Sequence, residues 1–444
     1  MRTGCYLCIL LSLQILAQQN IPTPRWAPGC VLLSASLLCF GGVEQETGEP
    51  SNDLYSLQLT STWNTTEPPW QLTSQPDLHA AYFAIAVLNG HNFLINGGRQ
   101  NLTSTQSMDN HTWLYNVHEK QWSPPLLLNA TAVPRQKHTA TLGMHGQIWL
   151  WGGSSVPTIG DNHTEFYNTW QVIDTNIWTL LYPVPHSVDP PARVDHTATL
   201  IFDTHILIIG GMVYSHDVTN PNSGLTLNPI SMSTLLLFDT VATTWRTITA
   251  GGNIPAPRGG HSAVLRPGNE SVIVFGGATS DNNNTTLNDV FQLELRSMQW
   301  IAPTIAGIPP EPRKYHQALL VSADQMLVLF GRGNDQTAYN DVNILSISTW
   351  AWESQYFPDL DWLAGNHTLP SHGVTRSNST VGEAHGNSRN PDSSTTFDNS
   401  GDAVGQEGGS SVSSSKITAG VIAGVISAGV VTVSLPDPKV EGAV

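Results

Sequence analysis

Arginine and histidine recur at a fixed separation along this 444-residue chain. Arg135, Arg193, Arg258 and Arg313 each stand three positions before a histidine: His138, His196, His261 and His316. Arg25 occupies the same place in a fifth segment, with Pro28 where the histidine would be. A guanidinium suits bidentate contact with a carboxylate or bonding to carbonyls. An imidazole suits metal ligation, proton transfer or plain hydrogen bonding. Five of the thirteen arginines of an acidic chain lie in this slot, so two readings compete. Either each arginine bonds a carbonyl or carboxylate of a neighbouring segment, or the five together form a cationic mouth for an acidic peptide or an anionic sugar. The histidines are spread by repetition, which disperses ligands rather than gathering them, so they read as hydrogen-bonding turn residues. His91, His111, His163 and His216 read as loop residues. The chain carries no HExxH, no phosphate loop, no G-x-S-x-G and no Cys or His pairs at zinc spacing. No catalytic residue, metal or cofactor is expected.

Of four cysteines, Cys5 and Cys8 fall in an N-terminal apolar stretch; Cys30 and Cys39 remain. Their separation fits neighbouring strands of one hairpin, so a disulfide is possible beside a reading as two buried thiols. Sequons begin at Asn64, Asn101, Asn110, Asn129, Asn162, Asn269, Asn283, Asn284, Asn366 and Asn378. They point to a glycosylated surface protein. The formal net charge of −16 argues against nucleic acid as partner.

What positions these residues is a repeat. An apolar run ending in a glycine pair recurs at Gly41-Gly42, Gly97-Gly98, Gly152-Gly153, Gly210-Gly211 and Gly276-Gly277, with a degenerate sixth copy read as Gly331-Arg332. A second strand follows each, and then a tryptophan: Trp63, Trp122, Trp178, Trp245, Trp300 and Trp352. Phe83 stands at the histidine position of the second copy. An unbroken apolar run suits a strand buried on both faces, glycine suits positive φ and close approach, and tryptophan suits a wedge between layers.

In these motifs the chain resembles kelch-repeat β-propellers, over roughly residues 20–360. The resemblance implies an all-β, six-bladed ring of four-stranded blades, named a to d outward, with strand a lining a central channel. Ring closure is expected between the segment near residues 19–25 and the last blade, after Trp352. Galactose oxidase shares the architecture, but its copper site needs a Tyr–Cys bond, which two cysteines in the first hairpin do not suit. An oxidase nonetheless stands as an alternative, and a surface spacer without ligand as another. Loops b–c and d–a share one face, and the longest b–c loop, 212–233, carries Tyr214, His216 and Asp217 as further binding candidates.

The remaining organisation reads as a signal peptide (1–17), the propeller (18–365), a Ser/Gly/Asn-rich disordered stalk (366–415), a transmembrane segment (416–435) and a short tail (436–444). A lipid-anchor signal competes with the span, against which the polar final residues count. The expected protein is secreted or a single-pass surface protein, similar in organisation to secreted kelch proteins of fungi. Its expected partner is an extracellular protein or polysaccharide.

Overall fold

The computed structural model describes residues 21–33, 35–101, 111–129, 135–156, 164–216, 225–279 and 285–365. Six antiparallel blades of four strands each follow one another along the chain, the fifth with a two-residue parallel strand added at its outer edge. Blade 1 is β1 (Gly29–Leu33), β2 (Ser36–Phe40), β3 (Leu54–Gln58) and β4 (Trp70–Ser74). Blade 2 is β5 (Ala84–Asn89), β6 (Asn92–Asn96), β7 (Thr112–Asn116) and β8 (Gln121–Ser123). Blade 3 is β9 (Thr139–Leu142), β10 (Gln147–Trp151), β11 (Gln171–Asp174) and β12 (Thr179–Leu181). Blade 4 is β13 (Thr197–Ile201), β14 (His205–Ile209), β15 (Thr234–Asp239) and β16 (Thr244–Thr249). Blade 5 is β17 (Ser262–Leu265), β18 (Ser271–Ala278), β19 (Thr286–Glu294) and β20 (Gln299–Ile301). Blade 6 is β21 (Gln317–Leu320), β22 (Gln325–Leu329), β23 (Val342–Ser346) and β24 (Ala351–Glu353). The innermost strands β1, β5, β9, β13, β17 and β21 adjoin in turn, and β21 returns to β1.

The core lies between blades rather than within them. Its apolar clusters each join two neighbouring blades. Strand β10 shows why its run is apolar without alternation. Ile148 and Leu150 face blade 2, while Trp149 and Trp151 face blade 4. A blade alone would leave both faces wet, so closure is a condition of stability. Connections between blades also cover outer edges: Gly251–Gly252 runs parallel to Gln299–Trp300, and Leu128 and Ala306 bridge Thr179 and Ala351.

The ring closes at both sides of the last blade. Arg25 bridges Tyr339, before Trp352, and Gln355–Tyr356, after it, pairs with Trp63–Asn64. Every blade keeps four strands from its own repeat, so no strand is exchanged at the seam.

Three repeat assignments need correction. In blade 6 strand β22 ends at Leu329, so Phe330 (φ 60°) holds the first glycine position and Gly331 (φ 99°) the second. Arg332 lies beyond the pair. In blades 2 to 5 a Cβ on the first glycine would meet the next blade's histidine: on Gly152 it would lie 2.5 Å from His196 Cε1. The blade after blade 6 presents Pro28 there, and Phe330 packs on Trp70 instead (5.9 Å). The two departures from the repeat are therefore one coupled exchange. Trp63 is not on an outer blade strand; it stacks on Tyr356 (4.9 Å), and Trp70 pairs with Leu57 where Trp300 pairs with Leu293. Trp178 sits in a turn at φ 48°, and Leu180 takes its expected place opposite Ile173.

Cys30 and Cys39 lie opposite each other on β1 and β2 and form a disulfide. Asn64 and Asn129 are exposed, whereas Asn269 Oδ1 accepts a bond from Phe202 N (3.0 Å). Asn101 lies at the end of a short strand, Arg99–Asn101. Asn110, Asn162, Asn283, Asn284, Asn366 and Asn378 lie outside the described residues, as do the expected signal peptide, stalk and transmembrane segment. Among the described residues no helix is long and apolar enough to cross a membrane.

Candidate functional site

The five repeated arginines do not line an open mouth. Their side chains are at most 3% exposed, each turned into the root of its own blade. Arg25, Arg135, Arg193 and Arg258 donate to the carbonyl of the first glycine, at Gly41, Gly152, Gly210 and Gly276, and Arg313 to that of Phe330. That carbonyl projects where the chain leaves strand b at positive φ, so the guanidinium supplies its partner. Arg258 and Arg313 also grip Asp289 and Asp341 bidentately, and Arg25 reaches Asp53 at 3.1 Å. Arg135 and Arg193 have no such carboxylate, and burial pushes each down to about 10. The expected cationic mouth built from these five is not met, because all five side chains are buried in the blade roots and directed at the carbonyls there, three of them also at an aspartate.

The four histidines form the next layer, wholly buried. Each ring reaches back one blade through Nε2: His138 to Asn96 (3.0 Å), His196 to Thr139 (3.1 Å), His261 to Thr197 (3.2 Å) and His316 to Ser262 (2.9 Å). Burial, and then the neighbouring arginine, pushes His138, His261 and His316 down to about 3, and His196 well below its usual value. They are neutral inter-blade staples at physiological pH.

Between arginine and histidine lies a position that the motif leaves variable. Its occupants are Ala27, Tyr82, Lys137, Asp195, Gly260 and Tyr315, and all six have φ between 55° and 65°. Their backbones form a closed hoop. Tyr315 N donates to Gly260 O (2.9 Å), Gly260 to Asp195 (2.8 Å), Asp195 to Lys137 (3.3 Å), Lys137 to Tyr82 (2.9 Å), Tyr82 to Ala27 (3.2 Å) and Ala27 to Tyr315 (2.8 Å). A side chain in this conformation costs roughly 1 kcal/mol. The bond to the next blade offsets that cost at the five positions other than Gly260.

The hoop's side chains rim a depression of about 150 Å³ over the central channel. Lys137 Nζ lies 3.1 Å from Asp195 Oδ2 and 3.3 Å from Tyr315 Oη, and Tyr315 Oη donates to the same carboxylate oxygen (3.1 Å). Burial works against the Lys137 ammonium, but Asp195, helped by Tyr315 and Tyr82, more than offsets it and holds its pKa well above the usual lysine value. Tyr82 meets Tyr315 edge-on at 5.3 Å and accepts from Trp26 Nε1 (2.8 Å). Over the Trp26 ring, at 4.6 Å, stands the Arg332 guanidinium. Its Nε is buried without a hydrogen-bond partner, and no carboxylate among the described residues lies within ion-pair distance of it.

Sequence reasoning missed this site because it attends to invariant positions, whereas the functional variety sits in the variable slot between them. The four Arg-x-y-His copies, read for y together with Ala27 before Pro28 and Tyr82 before Phe83, would have listed the rim. Of the loop candidates, Tyr214 stacks flat on Phe166 (5.3 Å, 4°) at the base of a ribbon pairing Met212–His216 with Leu225–Pro229. His216 ends the first strand of that ribbon, and Asp217 lies outside the described residues. No group of three His, Cys, Asp or Glu among the described residues is placed to hold a metal ion. The disulfide also leaves neither Cys30 nor Cys39 free for a Tyr–Cys bond.

The KLHDC2/KLHL20/DRC7 Kelch-repeats domain matches residues 82–228 and 223–361. Acyl-CoA-binding domain-containing protein 5 of Arabidopsis thaliana is 29% identical over 238 residues, 52% of this chain and 33% of that one. Multiple epidermal growth factor-like domains protein 8 of Rattus norvegicus is 28% identical over 57% of this chain and 9% of its own. Kelch domain-containing protein 1 of Mus musculus is 23% identical, over 60% and 67%. The chain thus spans only a minor part of the first two. The solved structure of YjhT superposes with a TM-score of 0.55 at 13% identity, over 75% of this chain and 98% of that one, a likeness of fold.

Proposed function

We propose that this chain, which belongs to the KLHDC2/KLHL20/DRC7 Kelch-repeats domain family, is a binding module that recognises a carboxylate-bearing ligand at the channel mouth, outside the cell. The observation that carries this reading is Arg332: a half-buried guanidinium, stacked on Trp26, with Nε unbonded. Burying an unpaired charge is unfavourable unless a partner arrives. The remaining rim offers the Lys137 ammonium and the rings of Tyr82 and Tyr315. Such a surface takes an acidic peptide segment of a protein partner or a uronate-bearing polysaccharide, both being carboxylates beside apolar surface. The Phe166–Tyr214 ribbon on the same face supplies a second contact. The N-terminal signal-like segment and the many sequons support a secreted or membrane-anchored protein of the secreted fungal kelch type, without the copper site of galactose oxidase.

The test is binding of the full chain to acidic and amidated peptides and to uronate and neutral polysaccharides, at low and high salt, for the native protein and Arg332→Gln. A lost charge-assisted bond is worth about 1.5–3 kcal/mol, hence roughly 10–100-fold in Kd. Saturable binding weakened to that extent by Arg332→Gln and by salt is expected, and the ligand arms separate peptide from polysaccharide. Binding indifferent to both would move recognition to the ribbon. Absence of saturable binding, with copper content and peroxide release on sugar alcohols, would favour the oxidase; absence of both would favour the spacer.

A further inference from the structure

We infer that blade 2 carries a transition-metal site on the propeller face opposite the channel mouth, formed by His91 and His118. Hairpins a–b and c–d turn at the end of each blade away from the d–a and b–c loops. In blade 2 these turns hold His91, between β5 and β6, and His118, between β7 and β8. Both rings are exposed, His91 Nδ1 lies 2.6 Å from His118 Nε2, and the ring centroids are 4.2 Å apart.

The repeat supplies its own control. The two turns of every blade are joined by one backbone bond, Val117 N to His91 O (2.9 Å) in blade 2. The same bond runs from Leu59 to Ala35, Thr175 to Gly146, Thr240 to Thr204, Leu295 to Glu270 and Ile347 to Asp324. The positions matching His91 and His118 are thus Ala35 and Thr60, Gly146 and Asn176, Thr204 and Val241, Glu270 and Arg296, and Asp324 and Ser348. Five blades close these turns without a histidine pair, so the fold does not call for one.

The backbone on both sides is fixed. Asn89 Oδ1 accepts from His91 N (2.9 Å), and Asn116 Oδ1 accepts from His118 N (2.9 Å) and Glu119 N (3.0 Å). Two imidazole nitrogens facing each other share one proton, so one lone pair is satisfied by the other ring's N–H. A divalent cation satisfies both. With nitrogen about 2.0–2.1 Å from the ion, tetrahedral geometry spreads the two nitrogens to roughly 3.4 Å, under 1 Å more than they stand now. Rotation of two solvent-exposed side chains supplies that. Two imidazoles with the remaining positions left to water suit borderline ions, Zn²⁺, Ni²⁺ and Cu²⁺, rather than Ca²⁺ or Mg²⁺.

The test is calorimetric titration of the full chain with Zn²⁺ and with Cu²⁺ at pH 7.5, for the native protein, His91→Ala, His118→Ala and, as an exposed histidine of the neighbouring blade, His145→Ala. One site of native stoichiometry is expected, weakened at least 30-fold by either blade 2 substitution and untouched by His145→Ala. Electron paramagnetic resonance of the Cu²⁺ form should show two nitrogen ligands in the native protein and at most one in either variant. Melting temperatures without metal should not change, since the turn bond is made by backbone. A native protein that binds neither ion, or a His91→Ala/His118→Ala protein that keeps the same site, overturns the inference.

Discussion

Lowering the pH from 7.5 to 5.5 should destabilise this propeller through its four buried histidines. In the unfolded chain each imidazole titrates near 6.5. In the folded chain His138, His261 and His316 are pushed down to about 3 and His196 well below its usual value, chiefly by burial. A folded pKa below the unfolded one means that the unfolded state takes up protons first. Stability is therefore full above about pH 6.5 and falls as pH drops toward the folded values. At pH 5.5 each histidine loses about 1.4 kcal/mol, so the four together lose about 6 kcal/mol, a large share of a typical domain's stability. Asp239, held low by backbone hydrogen bonds from Ala242 and Val241 and by His205 and Arg246, and Asp324, held low by hydrogen bonds that outweigh its burial, begin to matter only below about pH 4. The window from 6.5 to 4 thus belongs to imidazole. The assay is guanidinium unfolding followed by tryptophan fluorescence at several pH values, with imidazole resonances observed in parallel. A free energy that changes by less than about 1 kcal/mol between pH 7.5 and 5.5, or four imidazoles that titrate near 6.5 in the folded protein, would refute the burial argument.

Substituting Gly152→Ala should destabilise by about 2–5 kcal/mol, since the new Cβ would lie 2.5 Å from His196 Cε1 and 2.7 Å from Arg193 O and φ is 72°; Gly48→Ala, with nothing within 4 Å, should lose only about 1 kcal/mol from its φ of 69°. Phe330→Gly alone should lose about 3–5 kcal/mol of packing, and Pro28→His in the same chain should recover part of it, a coupling read by a double-mutant cycle. Asp289→Ala leaves Arg258, fully buried, without its bidentate partner and should lose about 3 kcal/mol; an unchanged unfolding midpoint would show that the Gly276 carbonyl suffices.

The architecture was legible because each copy of the repeat states the same physical needs: a strand apolar on both faces, a turn at positive φ, and a residue to hold the turn's carbonyl. Six copies average out local noise. The same averaging hid the site. Lys137, Asp195 and Tyr315 differ from blade to blade, and their meeting depends on the hoop, which joins residues far apart in sequence. The sixth glycine pair was misplaced by one residue because Phe330 adopts a conformation that sequence habit reserves for glycine. Only its position against Pro28 across the seam explains it. Trp63 was assigned to a strand it does not join because the turn after β3 is longer in blade 1 than elsewhere, and spacing alone selected the nearer tryptophan.

The hoop has a consequence during synthesis. Its last bond joins Ala27 to Tyr315, and the cluster around Leu37, Tyr55 and Leu57 finds its other half in Leu327, Val342 and Ile344. The first blade therefore leaves the ribosome with one apolar wall unmatched, and that wall waits until the sixth is made. At about 5–20 residues per second the wait runs to roughly tens of seconds. Throughout it, the nascent chain is an open arc with two sticky ends, and a neighbouring nascent arc offers the same ends. Whether translation yields rings or linked arcs is then a contest between the speed of the ribosome and the crowding of its neighbours.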